Sequence, residues 1–599
     1  MSSNDGRAAG SSRRTFLGLT AGAVATGAGG VGLDAVLPQT AQAQPAPASP
    51  LPTKRVNRGR PNILFIFTDQ ERYRSEWPKG MSLPAHERMQ KTGVTLHNHY
   101  CPAVMCTSSR AVLLTGLQTP DNRMFENADV PWVKNLSTRI PTVGHMLRKA
   151  GYYTAYKGKW HLNDKFDSED PDRLFTKEME QYGFADYFSP GDVIGHTLGG
   201  YQFDHLIAGS AITWLRRNGR PLTDDSKPWC LFVSLVNPHD IMYFNTDDPG
   251  KKVQDTGQLI KRAARAPEHS FYKATWDVNL PTSITEPFDA AGRPRAHGEF
   301  LNMWNYVLGH IPPEEERWRR FNDFYLNSTR SVDAQVDRIL GELDALNLAD
   351  NTIICFTSDH GEMGGAHGLH GKGPFAYEES THLPFHVVHP DVRGGQNCRA
   401  LTSHIDVVPT LLSFAGVSAE KSAEFAGRPL PGKDMTKLLT NPGAADVRAL
   451  REAILFTYSG LATNDSDLWR VVSEARAAGK NPMLAMVKQG FKPNMKKRGS
   501  LRSTFDGRHK FTRYFAPGER NRPTNLAELY KFNDVELFDL QNDPGEMKNL
   551  AADKAVNGEL IASMSDRLER MIKAEIGADD GREMPNIPRI EWTINRVDL

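Results

Sequence analysis

From Pro61 onward, short unbroken apolar runs alternate with stretches in which apolar side chains return every three or four positions. Asn62–Thr68 (NILFIFT), Tyr152–Tyr156, Trp229–Val236 (WCLFVSLV), Thr352–Thr357 (TIICFT) and Leu383–Val388 have the continuous hydrophobicity of strands covered on both faces. Helical patterns lie between them over Thr142–Lys149 and Glu314–Leu346. The second opens after Pro312-Pro313 and carries Val332, Val336, Ile339 and Leu340 at helical spacing. Strands and helices in alternation predict an α/β domain over 61–445, built on a large, mainly parallel sheet flanked by helices. Residues 240–310 lack a clean period and are rich in Pro, Gly and aromatics, so long loops over one face are expected there, with most of Tyr243, Phe244, Phe271, Tyr272 and Trp276 used in packing. Beyond about residue 445 the pattern changes. Thr504–Phe515 sets Asp506-Gly507 between strand-like flanks, Val535–Leu540 is another short strand, and Ala551–Ile576 is helical, which predicts a C-terminal α+β subdomain over 446–599: a smaller antiparallel sheet plus a helix.

Composition narrows the class. Charged residues make up 24% and hydrophobic ones 39% of 599 residues, ordinary values that exclude wholesale disorder and a polytopic membrane protein. Lys+Arg at 72 against Asp+Glu at 71 leaves a net charge of +1, so no global field recruits nucleic acid and any anion site must be local. Five cysteines are too few for a disulfide framework, and the odd count leaves at least one thiol for other use. Residues 11–43 place Arg13-Arg14 before Phe16-Leu17, an Ala/Gly-rich stretch and Ala41-Gln42-Ala43, the order of a cleaved twin-arginine signal peptide over 1–43. Asp34 and the many glycines make that stretch too polar for a stable membrane anchor. Its removal leaves a formally neutral chain, and 44–60, with Pro-Ala alternation, reads as a linker. The expected partner is the Tat export machinery. The expected location is the periplasm or outside the cell, with any metal or modified residue installed before export.

The candidate chemistry sits at strand ends, where ligands bind in parallel sheets. Asp69-Gln70 follows the first apolar run and Asp359-His360 the TIICFT run. One such carboxylate ordinarily caps a helix; two matching pairs offer a divalent cation three oxygen-bearing groups and an imidazole. That set favours Ca²⁺ or Mg²⁺ and leaves Mn²⁺ or Zn²⁺ open. In Cys101–Gln118 (CPAVMCTSSRAVLLTGLQ) the pattern after Cys106 is helical, with Ser108 and Ser109 able to cap it, so Cys106 stands at a helix N-terminus that favours an anion or a thiolate. Gly151–Leu162 (GYYTAYKGKWHL) sets Lys157, Lys159 and His161 after a strand, Asn237-Pro238-His239 ends WCLFVSLV, and Lys372 follows GGAHGLHGKG. Singly these are ordinary loop residues; jointly they make a local cationic patch.

At this point the sequence resembles the sulfatase family of the alkaline phosphatase superfamily. CTSSR with AVLLTG looks like its nucleophile signature and GYYTAYKGKWHL like its second signature. NILFIFTDQ, NPHD, FTSDHGEMGGAHG, SHIDVVPTLLSFAGV and ELFDLQNDPGEMKNL follow in the family's order across about 61–550. The resemblance implies that Asp69, Gln70, Asp359 and His360 hold the metal, most simply Ca²⁺, with Mn²⁺ or Mg²⁺ as alternatives. It implies that a formylglycine-generating maturation enzyme oxidises Cys106 to formylglycine, whose hydrate is the nucleophile. It further implies that Arg110 fixes that hydrate, that Lys159, His161, His239 and Lys372 hold the sulfuryl oxygens and serve the leaving group, with His239 as acid and His161 as base, and that the substrate is a small-molecule or glycan sulfate ester. Two departures from the usual pattern involve three positions. Ser108 stands where the signature has Pro or Ala, and Gln70 and His360 stand where many members have Asp and Asn, as in the branch with choline sulfatases and phosphonate monoester hydrolases. Three readings follow: a formylglycine sulfatase, a phosphonate monoester hydrolase or phosphodiesterase on the same scaffold, and a non-catalytic exported sulfate- or glycan-binding protein.

Overall fold

The computed structural model describes residues 59–585 except 131, 167–173, 191–195, 255–262 and 518–521. The expected signal peptide and all but the last two residues of the expected linker lie outside the described residues. Nine strands form one sheet: β1 (Asn62–Asp69), β2 (Val94–Tyr100), β3 (Tyr153–Gly158), β4 (Ala185–Phe188), β5 (Trp229–Pro238), β6 (Thr352–Ser358), β7 (His382–Leu383), β8 (Phe385–Val388) and β9 (Gln396–Ser403). Their order is β4-β3-β5-β1-β6-β8-β2-β7, with β9 also paired to β2. β4, β3, β5, β1 and β6 run parallel, and β8 is antiparallel to both β6 and β2.

The apolar runs become the central strands because both of their faces are covered. Along β1, alternation sends Ile63, Phe65 and Phe67 into one apolar layer with Phe232 and Cys355. Leu64 and Ile66 enter the other with Val233 and Phe356. The Gly199–Trp214 and Glu315–Ala345 helices close the second layer through Ile207, Ala211, Val332, Val336 and Ile339. The Cys106–Thr115, Val143–Lys149 and Val407–Phe414 helices close the first through Leu113, Leu114, Met146, Leu147, Val408 and Leu411. The Leu383–Val388 run splits at Pro384, which has no N–H for a ladder, into β7 and β8. The stretch expected to be long loops, 240–310, contains in addition the helix Arg295–Leu308, which buries Phe300, Met303, Trp304 and Val307. Tyr243, Phe244 and Tyr272 are buried in loop packing, as expected.

At the start of the helix Pro84–Thr92, the N–H groups of Ala85 and His86 donate to the Asp333 carboxylate of the Glu315–Ala345 helix. The buried His86 ring also bridges Asp333 and Glu71, at 2.6 and 2.8 Å.

β10 (Ile454–Tyr458), β11 (Ser500–Phe505), β12 (His509–Phe515) and β13 (Asp534–Asp539) form a second sheet, antiparallel throughout. Leu455, Phe511 and Leu537 pack against Ile561, Met564 and Leu568 of the Lys554–Glu575 helix. Ile454 and Phe505 also pack against Tyr100 and Leu401, the ends of β2 and β9. Buried Arg451 ties the parts together, donating to both Asp406 carboxylate oxygens and to Glu575 Oε1. No helix among the described residues is long and apolar enough to cross a membrane.

Candidate active site

Four parallel strands deliver the chemistry to one edge of the large sheet. β1 ends at Asp69, in register with Pro238 of β5, and Thr68 pairs with Ser358 of β6, so the Asp69-Gln70 and Asp359-His360 pairs emerge side by side. His239 follows β5 directly. β3 ends at Gly158, whose φ of 92° and whose closeness to Ser234, where a Cβ would lie 1.9 Å from the carbonyl oxygen, admit only glycine. Lys159 and His161 come next.

The helix carrying Cys106 starts at least three residues earlier than a serine cap would place it. Met105 at φ 83° turns the chain, and Cys106 is the first helical residue. Ser108 and Ser109 therefore lie inside the helix and do not cap it, against expectation. The Ser109 hydroxyl donates instead to the Asp359 carbonyl, and the Ser108 hydroxyl makes no hydrogen bond among the described residues. Two further walls of the pocket use left-handed backbone at residues other than glycine: Gln70 at φ 73° and His161 at φ 58°.

Asp69 and Asp359 divide their oxygens in the same way. The Oδ2 atoms accept from Arg110, at 2.8 Å from Nη2 and 2.9 Å from Nε respectively. The Oδ1 atoms face His360 Nε2, at 3.7 and 3.6 Å. Cys106 Sγ lies 3.3 Å from the same Nε2 and 3.8 Å from Asp69 Oδ1. The donor atoms of Asp69, Cys106, Asp359 and His360 all lie within 4.8 Å of one another in a fully buried cluster. Arg110 Nη1 donates to the Lys159 carbonyl and the Ser234 hydroxyl, so its guanidinium holds three strand ends together. Lys159 Nζ reaches Asp69 Oδ2 at 2.7 Å. Lys372 Nζ reaches Gln70 Oε1 at 2.7 Å. His161 Nε2 stands 3.5 Å from Asp129, and its carbonyl accepts from Thr107 at 2.7 Å.

Electrostatics follow from this packing. Burial alone would raise the Asp69 carboxyl, but Lys159, His239, Arg110 and His360 hold it well below the usual carboxylate range. Burial pushes His360 down to about 4 in spite of Asp359, leaving a neutral imidazole able to donate its lone pair. Burial, then Lys159, keeps His239 well below the ordinary histidine range. Arg110, Lys159 and Lys372 face Asp69, Asp359 and the equally buried Glu362, an even balance of charge. The residues fit a divalent cation: two Oδ1 atoms turned the same way, a neutral ring nitrogen, and a Gln70 oxygen with one lone pair left beside Lys372.

Residues 61–417 match the family model described as Sulfatase, more than half of the chain. The chain belongs to the sulfatase family. Among curated relatives, the choline-sulfatase of Rhizobium meliloti is 28% identical over 386 residues, covering 61% of this chain and 69% of that one. The N-acetylglucosamine-6-O-sulfatase of Bacteroides thetaiotaomicron is 27% identical over 404 residues, covering 61% and 70%. Among solved structures, a protein in complex with its substrate D-glucosamine-2-N,6-O-disulfate aligns with a TM-score of 0.58 at 20% identity, over 87% of this chain and 99% of that one. The phosphonate monoester hydrolase of Silicibacter pomeroyi aligns with a TM-score of 0.60 at 20% identity, over 86% and 96%. The large sheet with its flanking helices is thus the sulfatase fold, and this sulfatase-family chain is an enzyme with sulfate-ester hydrolases among its relatives.

The structure adds residues that motif reading passed over. Glu362, two positions after His360, accepts from the Gln70 side-chain amide and from the N–H groups of Gly364 and Gly371, at 3.0 and 2.7 Å. It thereby aims the Gln70 oxygen at Lys372. Ser234, inside β5, anchors Arg110. Glu362 was visible in the DHGEM string; Ser234 reads as one more small residue in an apolar strand.

Proposed function

We propose that this enzyme hydrolyses an organic sulfate monoester to an alcohol and inorganic sulfate. The observation that carries the reading is the convergence of Cys106 Sγ with donor atoms of Asp69, Asp359 and His360 within 4.8 Å, inside a ring of buried cations. A divalent cation held by Asp69, Gln70, Asp359 and His360, with Ca²⁺ the choice of oxygen-rich donors, supplies Lewis-acid charge stabilisation, and formylglycine made from Cys106 supplies the hydrated nucleophile.

The chain's own side chains do the rest. Arg110 locks both aspartates and keeps one N–H on Nη2 for the residue-106 side chain. Lys159 and Lys372 bind the ester's non-bridging oxygens, whose charge grows as the bond to the alcohol breaks. His239, neutral at rest, takes up a proton as the bound anionic ester offsets the charge of Lys159 and Lys372 and passes it to the departing alkoxide, and His161, steadied by Asp129 and Thr107, takes the proton released on return to the resting state. With the three buried cations already balanced by three carboxylates, a bound divalent ion leaves the pocket positive by two charges, which suits an anionic ester. Relatives named for choline sulfate and for a sugar 6-O-sulfate support a small or glycan alcohol. Maturation by a formylglycine-generating enzyme, export by the twin-arginine route and a boundary near 445 belong to the same proposal.

Mass spectrometry of the peptide spanning Cys106, beside assays of p-nitrophenyl sulfate, phosphate and phenylphosphonate esters, tests it. The expected results are formylglycine at 106, preference for the sulfate, and loss of turnover in Cys106→Ala with unchanged circular dichroism. Undiminished activity in that variant rejects the nucleophile, and preference for the phosphonate rejects the substrate class.

A further inference from the structure

Residues 475–499 contain none of the side chains placed in the active site. This segment carries seven Lys and Arg side chains and no acid, in a chain whose net charge is +1. Lys497 and Arg498 are tied back, to Asp465 and Glu299 and to Asp534. Arg476, Lys480, Lys488, Lys492 and Lys496 are exposed. Within the segment runs the helix Pro482–Gln489, whose N-terminal N–H of Leu484 is met by the Asn481 side chain. Leu484 and Val487, three positions apart and so on one side of it, are 70% and 76% exposed, two of the three most exposed large hydrophobic side chains among the described residues. The helix packs on Ser466–Ala477, which packs in turn on Arg295–Leu308, so the pair is fastened to the body rather than hung from it.

We propose that this helix is a docking site for an anionic lipid surface. Leu484 and Val487 enter the boundary between headgroups and acyl chains, while Lys480, Lys488, Lys492 and Lys496 meet the lipid phosphates. Charge complementarity names the occupant's sign, and the apolar pair names its kind. A sulfated or nucleic polymer would be satisfied by the lysines alone and gives two bare aliphatic side chains nothing to gain; a lipid leaflet takes both. Attraction has to be local, because a net charge of +1 offers almost none at long range and the field of a leaflet fades within about 8 Å at physiological ionic strength. Within that distance each lysine contributes about fivefold to partitioning.

Co-sedimentation of the full chain with vesicles tests this, comparing pure phosphatidylcholine with phosphatidylcholine containing phosphatidylglycerol. The proteins are wild type, the double variant Leu484→Ser/Val487→Ser and the triple variant Lys480→Gln/Lys488→Gln/Lys492→Gln. Any contribution from residues 1–58 is common to all three. Wild type is expected to bind only the anionic vesicles and to release in high salt. The triple variant should fall by about a hundredfold and the double variant by at least about tenfold, with hydrolysis of a soluble sulfate ester unchanged in both. Failure of wild type to bind overturns the proposal. So does equal binding by the double variant, and so does retention on heparin without vesicle binding, which would assign the surface to a polyanionic chain.

Discussion

Arg110 spends four of its five N–H groups on Asp359, Asp69, Lys159 and Ser234, and so fixes the relative positions of three strand ends rather than a single pair. Glu362 acts one layer out, holding the Gln70 amide so that its oxygen meets Lys372. Replacing Glu362 with Gln removes the charge that orders this chain of contacts. A loss of about 10- to 100-fold in kcat/KM is expected, with unchanged circular dichroism; a fully active Glu362→Gln would remove that residue from the machinery. At this scale the sequence discloses acids and bases at strand ends, because strand termini can be located from where the apolar runs stop. It places Cys106 at a helix N-terminus, but does not disclose that Ser108 and Ser109 lie inside that helix instead of capping it. That depends on the left-handed turn at Met105, which no side-chain pattern announces.

Among the elements, the Pro84–Thr92 helix shows how a buried polar cluster supports the floor of the site. Burial opposes charge on His86, yet Glu71 and Asp333 raise its pKa from 6.5 to about 10. A raised folded-state pKa means that the stabilisation is complete below pH 6.5 and is lost as pH climbs towards 10. The melting temperature of the wild type should therefore decline across that window, and His86→Gln should flatten the decline; parallel curves would show that His86 does not hold its proton there. The central strands and the long Glu315–Ala345 helix were legible because their burial is uniform or strictly periodic. β2 (VTLHNHY) and β9 (QNCRALTS) were not, since each mixes polar residues into a paired strand. The Arg295–Leu308 helix was hidden by its Pro- and Gly-rich surroundings, although Phe300, Met303, Trp304 and Val307 keep helical spacing.

Across the whole molecule, the contact between the two sheets rests on apolar packing and on buried ion pairs, among them Lys510 of β12 with Glu378 and Arg451 with Asp406 and Glu575. Arg451 pairs with Asp406 and Glu575 at once, and Glu575 also accepts from Gln118 at 2.7 Å. Arg451→Met leaves two carboxylates buried without their counter-charge. A cost of about 3–5 kcal/mol is expected, read from the urea midpoint; a loss below 1 kcal/mol would mean that the carboxylates take up protons at little expense. The sequence showed a change of style near residue 445, but an ion triad drawn from positions 406, 451 and 575 has no local signature.

The left-handed backbones at Gln70, Met105 and His161 bear on any attempt to make a hardier catalyst. Each holds its residue in a conformation that glycine would adopt without penalty. A screen that rewards heat resistance alone will be drawn to these three positions and will relax the pocket walls as it succeeds. Selection for durability and selection for turnover should therefore part company there first.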